Sequence, residues 1–182
     1  MSKRDRQRWD ARYSTPEWCG ISAPSPLVMQ YATGGGRALD VACGQGQNTL
    51  WLAAHGYYAV GLDISGVALR SAASEARARQ LQGHVDFVQA DLDRFCLPPA
   101  SLDLVCVMRF LHRPLFPALW RALRSGGRLI YSTLNWRRLE THPDTDPDYL
   151  LQSGELLAAF EGLEILTHAE NGDMTDYVGR VT

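Results

Sequence analysis

Along most of this 182-residue chain, short apolar segments alternate with segments whose apolar residues recur at helical spacing. A short apolar run indicates a strand buried on both faces, and recurrence every three to four residues indicates a helix. The pattern predicts strands over 39–41, 57–62, 85–89, 102–108, 128–134, 163–168 and 177–181. It predicts helices over 5–13, 27–32, 49–54, 66–82, 114–123 and 153–160.

Capping residues and glycines predict where several of these elements begin and end. Ser65 and Ser153 suit N-cap positions, and Gly56 and Gly83 suit the ends of the helices before them. Alternation of strand and helix predicts an α/β fold with a doubly wound, seven-stranded, mostly parallel sheet and helices on both faces. Ligands bind such sheets beyond the carboxyl ends of the strands.

Length and composition narrow the class of protein. The chain fits one domain over 1–182, with 1–33 as an N-terminal helical lid or arm. A net charge of −2 argues against a nucleic-acid partner. The basic N-terminus lacks an apolar run behind it, and uninterrupted apolar segments are short, so neither a signal peptide nor a membrane span is expected. The four cysteines form no C-x-x-C pair, which indicates reduced thiols in a cytoplasmic protein.

The first predicted strand leads directly into a loop that contains Gly44 and Gly46. Two glycines after a strand are also typical of a tight turn that binds nothing, so the loop alone identifies no ligand. The dinucleotide pattern G-x-G-x-x-G would need a glycine at position 49, where this chain has Thr49. A nicotinamide dinucleotide is therefore disfavoured, though not excluded.

Three carboxylates stand at predicted strand ends: Asp40, Asp63 and Asp91. The carboxylate of Asp63 suits a ribose diol because a charged acceptor can take both hydroxyl protons. Both NAD and S-adenosylmethionine contain that diol. Asp91, after the third strand, suits an adenine amino group. The glycine loop would then face a small zwitterion, the methionine portion, in place of two phosphates.

Several runs of the chain carry a family resemblance: Leu-Asp-Val-Ala-Cys-Gly-Gln-Gly-Gln-Asn at 39–48, Gly-Leu-Asp-Ile-Ser at 61–65 and Gln-Ala-Asp-Leu at 89–92. They resemble class I S-adenosylmethionine-dependent methyltransferases, which have a Rossmann-like fold. Residues 102–113 and 123–133 match the fourth and fifth motifs of that class. Within the class, 9–13, 44–48, 109–113 and 149–156 look like the tellurite-resistance (TehB-like) branch.

The resemblance implies S-adenosyl-L-methionine as the cofactor and assigns residues to it by motif. The residues that it places around the cofactor are Asp40, Ala42, Cys43, Gly44 and Gly46 at the methionine, Asp63 at the ribose, Ile64, Asp91 and Leu92 at the adenine, and Met108 at the reactive end. Asn48, where the wider class has a third loop glycine, is a further candidate. Trp9 and Tyr13, one helical turn apart, either close over the cofactor as a lid or only anchor the N-terminal helix.

Cationic residues follow the fourth and fifth predicted strands. Arg109, His112 and Arg113 are the candidate catalytic residues, and Arg137 and Arg138 lie further along the chain. Methyl transfer from a sulfonium is an in-line displacement with a good leaving group, so positioning supplies much of the rate. A base is needed only when the acceptor is protonated at working pH. We therefore predict that some of these cations capture an anionic or soft nucleophile. Alternatively, they cap the next helix or are solvated loop charges.

These observations favour an S-adenosylmethionine-dependent methyltransferase acting on a small molecule. A tellurium or selenium oxyanion, a thiol and a hydroxyl remain open as acceptors, and the oligomeric state is open. A nicotinamide-dependent oxidoreductase and a non-catalytic S-adenosylmethionine-binding regulator are the alternatives. No metal site is expected, because the acidic segment 144–155 has Tyr149 where a calcium loop needs glycine. No nucleic-acid or membrane partner is expected.

Overall fold

The structure, a computed structural model, describes residues 3–18 and 20–182. Its strands are β1 Gly36–Val41, β2 Tyr57–Asp63, β3 Val85–Gln89, β4 Leu102–Met108, β5 Leu123–Leu134, β6 Glu164–Asn171 and β7 Met174–Arg180. Its α-helices are α1 Lys3–Tyr13, α2 Pro26–Tyr31, α3 Gln47–Ala54, α4 Gly66–Ala78, α5 Phe116–Arg121, α6 Arg138–Thr141 and α7 Glu155–Ala159. The strands form the predicted seven-stranded sheet in the order β3-β2-β1-β4-β5-β7-β6. The predicted fold class is confirmed.

The chain forms two compact units, residues 1–96 and 97–182. In the first unit, β1, β2 and β3 are parallel, with Asp40 opposite Gly61 and Asp63 opposite Gln89. Helix α3 packs on β1 and β2, and α4 packs on β2 and β3. Because parallel strands end at the same edge, the residues that follow β1, β2 and β3 come together there.

Close packing of helix on strand positions this edge. Ala68, Ala72 and Ala76, spaced four residues apart, lie on the buried face of α4 together with Leu69. Small side chains on that face let α4 approach the sheet closely. Because α4 lies this close to the sheet, little space remains around the loop that follows β1.

In the second unit, β4 and β5 are parallel, and β7 is antiparallel to both β5 and β6. Aromatic rings fill its core: Phe160 lies 5.3 Å from Phe116 and 5.5 Å from Tyr177 between ring centroids. The hydroxyl of Tyr131 donates to the carbonyl oxygen of Phe110 at 2.9 Å. This hydrogen bond joins the segment after β4 to the core of the unit.

The predicted end of α4 is wrong, because the helix ends at Ala78 and not at residue 82. Gln80 has φ 58°, and the N–H of Leu81 reaches the carbonyl oxygen of Ala76 at 2.9 Å. These two features are those of a Schellman ending, which here places a glutamine in the left-handed conformation. Nothing in the composition near residue 80 distinguishes it from a continuing helix.

Two other predicted boundaries are also wrong. Residues 114–123 are not one helix: a 3-10 turn at Arg113–Leu115 precedes α5, and Leu123 already belongs to β5. Gly154, and not Ser153, is the N-cap of α7. The carboxylate of Glu170 accepts from the N–H of Gly154 at 2.9 Å and from Ser153 Oγ, so a side chain distant in sequence satisfies this helix start.

Across the described ranges, none of the helices combines the length and apolar character that a membrane crossing needs.

Candidate cofactor site

The loop between β1 and α3 is a tight turn with three residues in the left-handed region. Ala42, Gly44 and Gly46 have φ 55°, 55° and 78°. A residue with a Cβ is disfavoured there by about 1–2 kcal/mol, so Ala42 is strained. Such strain is retained mainly where the surrounding structure supports a functional conformation. Gly46 is the N-cap of α3, so the turn also aims the start of that helix at the sheet edge.

Asp40 stabilises this turn by hydrogen bonds to the start of α3. Its buried carboxylate accepts from the N–H of Thr49 at 3.0 Å and from the Thr49 hydroxyl at 2.6 Å, so it caps the first turn of α3. Space for Thr49 comes from Gly61, where an added Cβ would lie 2.9 Å from Thr49 Oγ1 and 2.8 Å from Cys43 Sγ. The close helix–strand approach that a third loop glycine would allow is therefore provided by the strand.

Asp63 presents its carboxylate at the end of β2. Its Oδ2 accepts from the N–H of Gly44 at 2.8 Å, and its Oδ1 accepts from the N–H of Ser65 at 2.8 Å. The residue is 7% exposed. A carboxylate oxygen has two acceptor positions, so this group can take two more hydrogen bonds besides those from the backbone. Its geometry suits a vicinal diol.

The titration of Asp63 leads to a pH dependence. Burial raises the pKa of this carboxyl, and the backbone donors Ser65 and Gly44 lower it in part. Since the pKa is raised in the fold, the stability linked to this group is present below the unfolded pKa and is lost as pH rises through the folded pKa. A diol donates to the ionised form. Affinity for S-adenosylhomocysteine should therefore fall as pH is lowered through this raised pKa.

Calorimetric titrations of S-adenosylhomocysteine across mildly acidic pH measure this dependence. The Asp63→Asn variant is the control, because it removes the titrating group and should make the profile flat. A wild-type affinity that stays constant over the same range would contradict the assignment of the diol to Asp63.

Tyr13, from α1, lies over the glycine loop. A Cβ added to Gly44 would lie 2.5 Å from the Tyr13 hydroxyl oxygen. The Tyr13 ring stacks on Trp9 with centroids 5.8 Å apart and meets Trp18 edge-on at 5.7 Å. Burial, with the charge of Asp63, raises the pKa of Tyr13, so its hydroxyl remains a neutral donor. Trp9 and Trp18 pack against Tyr13, and the Tyr13 hydroxyl is the polar group placed at the loop.

A cavity of about 390 Å³ lies beside the ends of β2 and β3. Ile64 and Asp91, which the resemblance places at the adenine, both line this cavity, and Leu92, which follows Asp91, is buried. The remaining lining residues are Lys3, Arg6, Gln89 and Ala90. Sequence reasoning missed Lys3 and Arg6. Their spacing from Tyr13 on one helical face is the signal that could have found them.

Two other candidates have contacts that support the loop. Asn48 Oδ1 accepts from the N–H of Ser25 at 2.8 Å, so this side chain anchors the segment before α2. Cys43 is buried, and burial raises the pKa of its thiol, with Asp40 and Asp63 adding to the effect. Both contribute to the shape of the turn from inside the first unit.

In the second unit, Met108 ends β4 and Arg109 follows it with φ 54°. The N–H of Arg109 donates to the carbonyl oxygen of Ser132 at 2.7 Å, while its side chain is exposed. His112 is half-buried, with its ring centroid 6.3 Å from that of Phe110. An arginine held in the left-handed region beyond a strand end is the kind of backbone outlier found at functional sites.

Two other cations of the second unit, Arg113 and Arg138, are held by carboxylates. Arg113 Nε donates to Glu155 Oε1 at 2.6 Å and its Nη2 to Oε2 at 3.0 Å. Its Nη1 and Nη2 also donate to the carbonyl oxygens of Asp148 and Leu150, both at 2.9 Å. Arg138 pairs with Asp173 at 2.7 Å. These contacts favour structural roles for Arg113 and Arg138.

Arg109 and Arg113 should therefore respond differently to substitution. Arg113→Lys should lower the free energy of unfolding by about 1–2 kcal/mol, because an ammonium cannot reproduce a bidentate carboxylate pair with two carbonyl bonds. Arg109→Ala should leave stability near wild type and raise the acceptor KM or lower kcat. Thermal unfolding and steady-state kinetics measure the two effects, and a reversed pattern would contradict both assignments.

Part of this chain is similar to known proteins. Residues 38–127 match the family model described as a methyltransferase domain. A curated relative, 2-heptyl-1-hydroxyquinolin-4(1H)-one methyltransferase of Mycobacteroides abscessus, is 36% identical over 83 residues, covering 44% of this chain and 36% of its own length. Ubiquinone biosynthesis O-methyltransferase of Methylococcus capsulatus is 32% identical over 126 residues, covering 63% and 52%. The chain thus spans about half or less of the length of these relatives.

Solved structures share the fold. The crystal structure of TehB from Haemophilus influenzae superposes with a TM-score of 0.78 and 15% identity, covering 96% of this chain and 67% of that chain. At this identity the likeness establishes the fold, and the TehB-like branch is not distinguished from the rest of the class.

Proposed function

We propose, from the match of residues 38–127 to a methyltransferase-domain model, that this protein transfers the methyl group of S-adenosylmethionine to a small molecule. The observation that carries the proposal is the Asp63 carboxylate, which two backbone N–H groups hold at the edge of the parallel strands. That carboxylate would bind the ribose diol. The glycine loop would hold the methionine portion, and the cavity beside Asp91 would hold the adenine.

The residues that would hold the cofactor fit its three parts. Ile64 and Asp91 supply an apolar contact and a hydrogen-bond acceptor in one cavity, which is what an adenine ring with an amino group requires. Gly44 leaves room at the loop, and Tyr13 covers it. A pyrophosphate would instead need more backbone donors at the start of α3, where Asp40 already accepts the N–H of Thr49.

We propose a hydroxyl as the acceptor group. The two curated relatives are named as a hydroxyquinolinone methyltransferase and an O-methyltransferase. A tellurium or selenium oxyanion would need several unpaired cations, but Arg113 and Arg138 are engaged with Glu155 and Asp173. The oxyanion and the TehB-like branch therefore remain the second candidates, with a thiol as a third.

A hydroxyl is protonated near neutral pH, so its methylation benefits from a base. We assign that role to His112, because a ring nitrogen of an imidazole can accept a proton and this residue lies just after β4. Arg109 would orient the acceptor or stabilise the developing charge. The cofactor supplies the electrophilic methyl group, and the protein's own residues position the acceptor and exclude water.

Calorimetric titration with S-adenosylmethionine and with NAD tests the cofactor, and preference for NAD would overturn the proposal. A panel of phenols, thiols, tellurite and selenite, assayed by release of S-adenosylhomocysteine, tests the acceptor. Phenols should be methylated, with a His112→Gln variant slower on phenols but not on thiolates. Binding of S-adenosylmethionine without release across the panel would favour a non-catalytic regulator.

A further inference from the structure

One face of α1 follows the candidate cofactor site from end to end. Lys3, Arg6, Asp10 and Tyr13 recur at intervals of three, four and three residues, which places them on a single stripe of the helix. Lys3 and Arg6 line the cavity beside Asp91, and Tyr13 lies against the glycine loop. At 1.5 Å of rise per residue, this stripe is about 15 Å long.

Asp10, in the middle of the stripe, attaches α1 to the start of α4. Its Oδ1 accepts from Ser65 Oγ at 2.7 Å and from the N–H of Val67 at 3.2 Å. Ser65 is the N-cap of α4 and accepts from the N–H of Ala68. A carboxylate is favourable beside the N–H groups at a helix start, because those groups lack partners within the helix. Asp10 therefore forms a specific contact between α1 and α4.

The same residues connect Asp10 to the proposed ribose acceptor. Ser65 donates its N–H to Asp63 Oδ1, and Gly44 donates its N–H to Asp63 Oδ2. Tyr13, one turn after Asp10, contacts Gly44. Helix α1 is thus attached on both sides of Asp63, through Ser65 on one side and through Gly44 on the other.

We propose that Asp10 is a positioning residue for the cofactor: its hydrogen bonds to Ser65 and Val67 hold α1 along the strand ends. Asp10 does not itself touch the cofactor. It places Tyr13 at the methionine portion and Lys3 and Arg6 at the adenine, and it fixes Ser65, which in turn holds Asp63. The inference rests on the proposed function.

Positioning of this kind makes cofactor binding and the docking of α1 depend on each other. If the protein binds S-adenosylhomocysteine more tightly when α1 is docked, then bound S-adenosylhomocysteine must stabilise the docked state of α1 by the same factor. Trypsin reports docking directly, because α1 contains the cleavage sites Lys3, Arg4, Arg6, Arg8 and Arg12.

The experiment compares the full-length wild type with Asp10→Ala, Asp10→Asn and the control Glu17→Gln. Glu17 is an exposed acid just after α1, so its change removes the same charge outside the attachment. Titration calorimetry should show S-adenosylhomocysteine binding about tenfold more weakly to Asp10→Ala and less than tenfold more weakly to Asp10→Asn. Glu17→Gln should bind as the wild type does. Saturating S-adenosylhomocysteine should slow tryptic cleavage within α1 in the wild type but not in Asp10→Ala.

The outcomes separate this inference from the function on which it rests. A wild type that does not bind S-adenosylhomocysteine would overturn both. A wild type that binds it, with Asp10→Ala equal in affinity and equally protected from trypsin, would overturn only the role of Asp10. A lower melting temperature with unchanged affinity would make Asp10 merely structural and would also overturn that role. If Asp10→Ala does not fold, the Asp10→Asn affinity and tryptic protection decide in the same way.

Discussion

Replacing Asp63 with asparagine is expected to weaken the binding of S-adenosylhomocysteine by about 100-fold. The carboxylate would accept two hydroxyl protons from the ribose, and hydrogen bonds to a charged acceptor contribute about 1.5–3 kcal/mol each. A loss of about 3 kcal/mol corresponds to roughly a 100-fold change in dissociation constant. Asparagine keeps the size of the side chain but offers one acceptor oxygen and a donor in place of two acceptors. Titration calorimetry of both proteins measures the change.

Two controls separate the diol contact from other effects of this substitution. Asp86→Asn removes a charge from β3, where Asp86 accepts a hydrogen bond from Tyr58 at the surface, and should leave the affinity unchanged. An analogue of the ligand that lacks both ribose hydroxyls should bind the wild type and Asp63→Asn equally. If the 100-fold difference persisted with that analogue, the carboxylate would be acting on another part of the ligand.

Gly46→Ala is expected to lower the free energy of unfolding by about 2–5 kcal/mol. The left-handed backbone of Gly46, with φ 78°, disfavours any Cβ by about 1–2 kcal/mol. That Cβ would also lie 2.8 Å from a ring carbon of Phe87 and 3.0 Å from the Cβ of Ala72. Overpacking of this kind costs a further 1–3 kcal/mol or so. At about 2–4 °C per kcal/mol, the melting temperature should fall by roughly 4–20 °C.

Gly154→Ala isolates the steric part of that effect. Gly154 is also a helix N-cap in the left-handed region, with φ 71°, yet an added Cβ there meets no heavy atom within 4 Å among the described residues. Its substitution should cost only the backbone term of about 1–2 kcal/mol. Equal melting temperatures for the two variants would mean that the loop moves aside and that α3 does not pack as tightly as the structure indicates.

Much of the candidate site follows from local sequence because it depends on residues near strand ends. Their spacing alone predicts that the carboxylates of Asp63 and Asp91 lie at one edge of the sheet, since the carboxyl ends of parallel strands are adjacent. Thr49, where a dinucleotide loop would have a glycine, favours a cofactor other than a dinucleotide. The family match over residues 38–127 agrees with the methyltransferase domain that the sequence indicates.

The partners of the charged side chains did not follow from the sequence. Arg113 lies 42 residues from Glu155, and the ion pair that engages it depends on how α7 meets the end of β4. Asp10 lies 55 residues from Ser65, and the role of α1 along the site depends on that contact. Local periodicity places a residue on a helix or strand face, but it does not state which distant group that face meets.

By itself, the sequence determined the order of the strands and of the described α-helices except α6, the glycine loop, and the carboxylates at the strand ends. These features depend on hydrophobic period and on backbone preferences that act within a few residues. Only the tertiary structure decided that Gly61 provides the space for Thr49, that Arg113 is held by Glu155, and that α1 lies along Asp63. Each of these depends on contacts between segments far apart in the chain, where burial and hydrogen-bond pairing are set by how those segments pack.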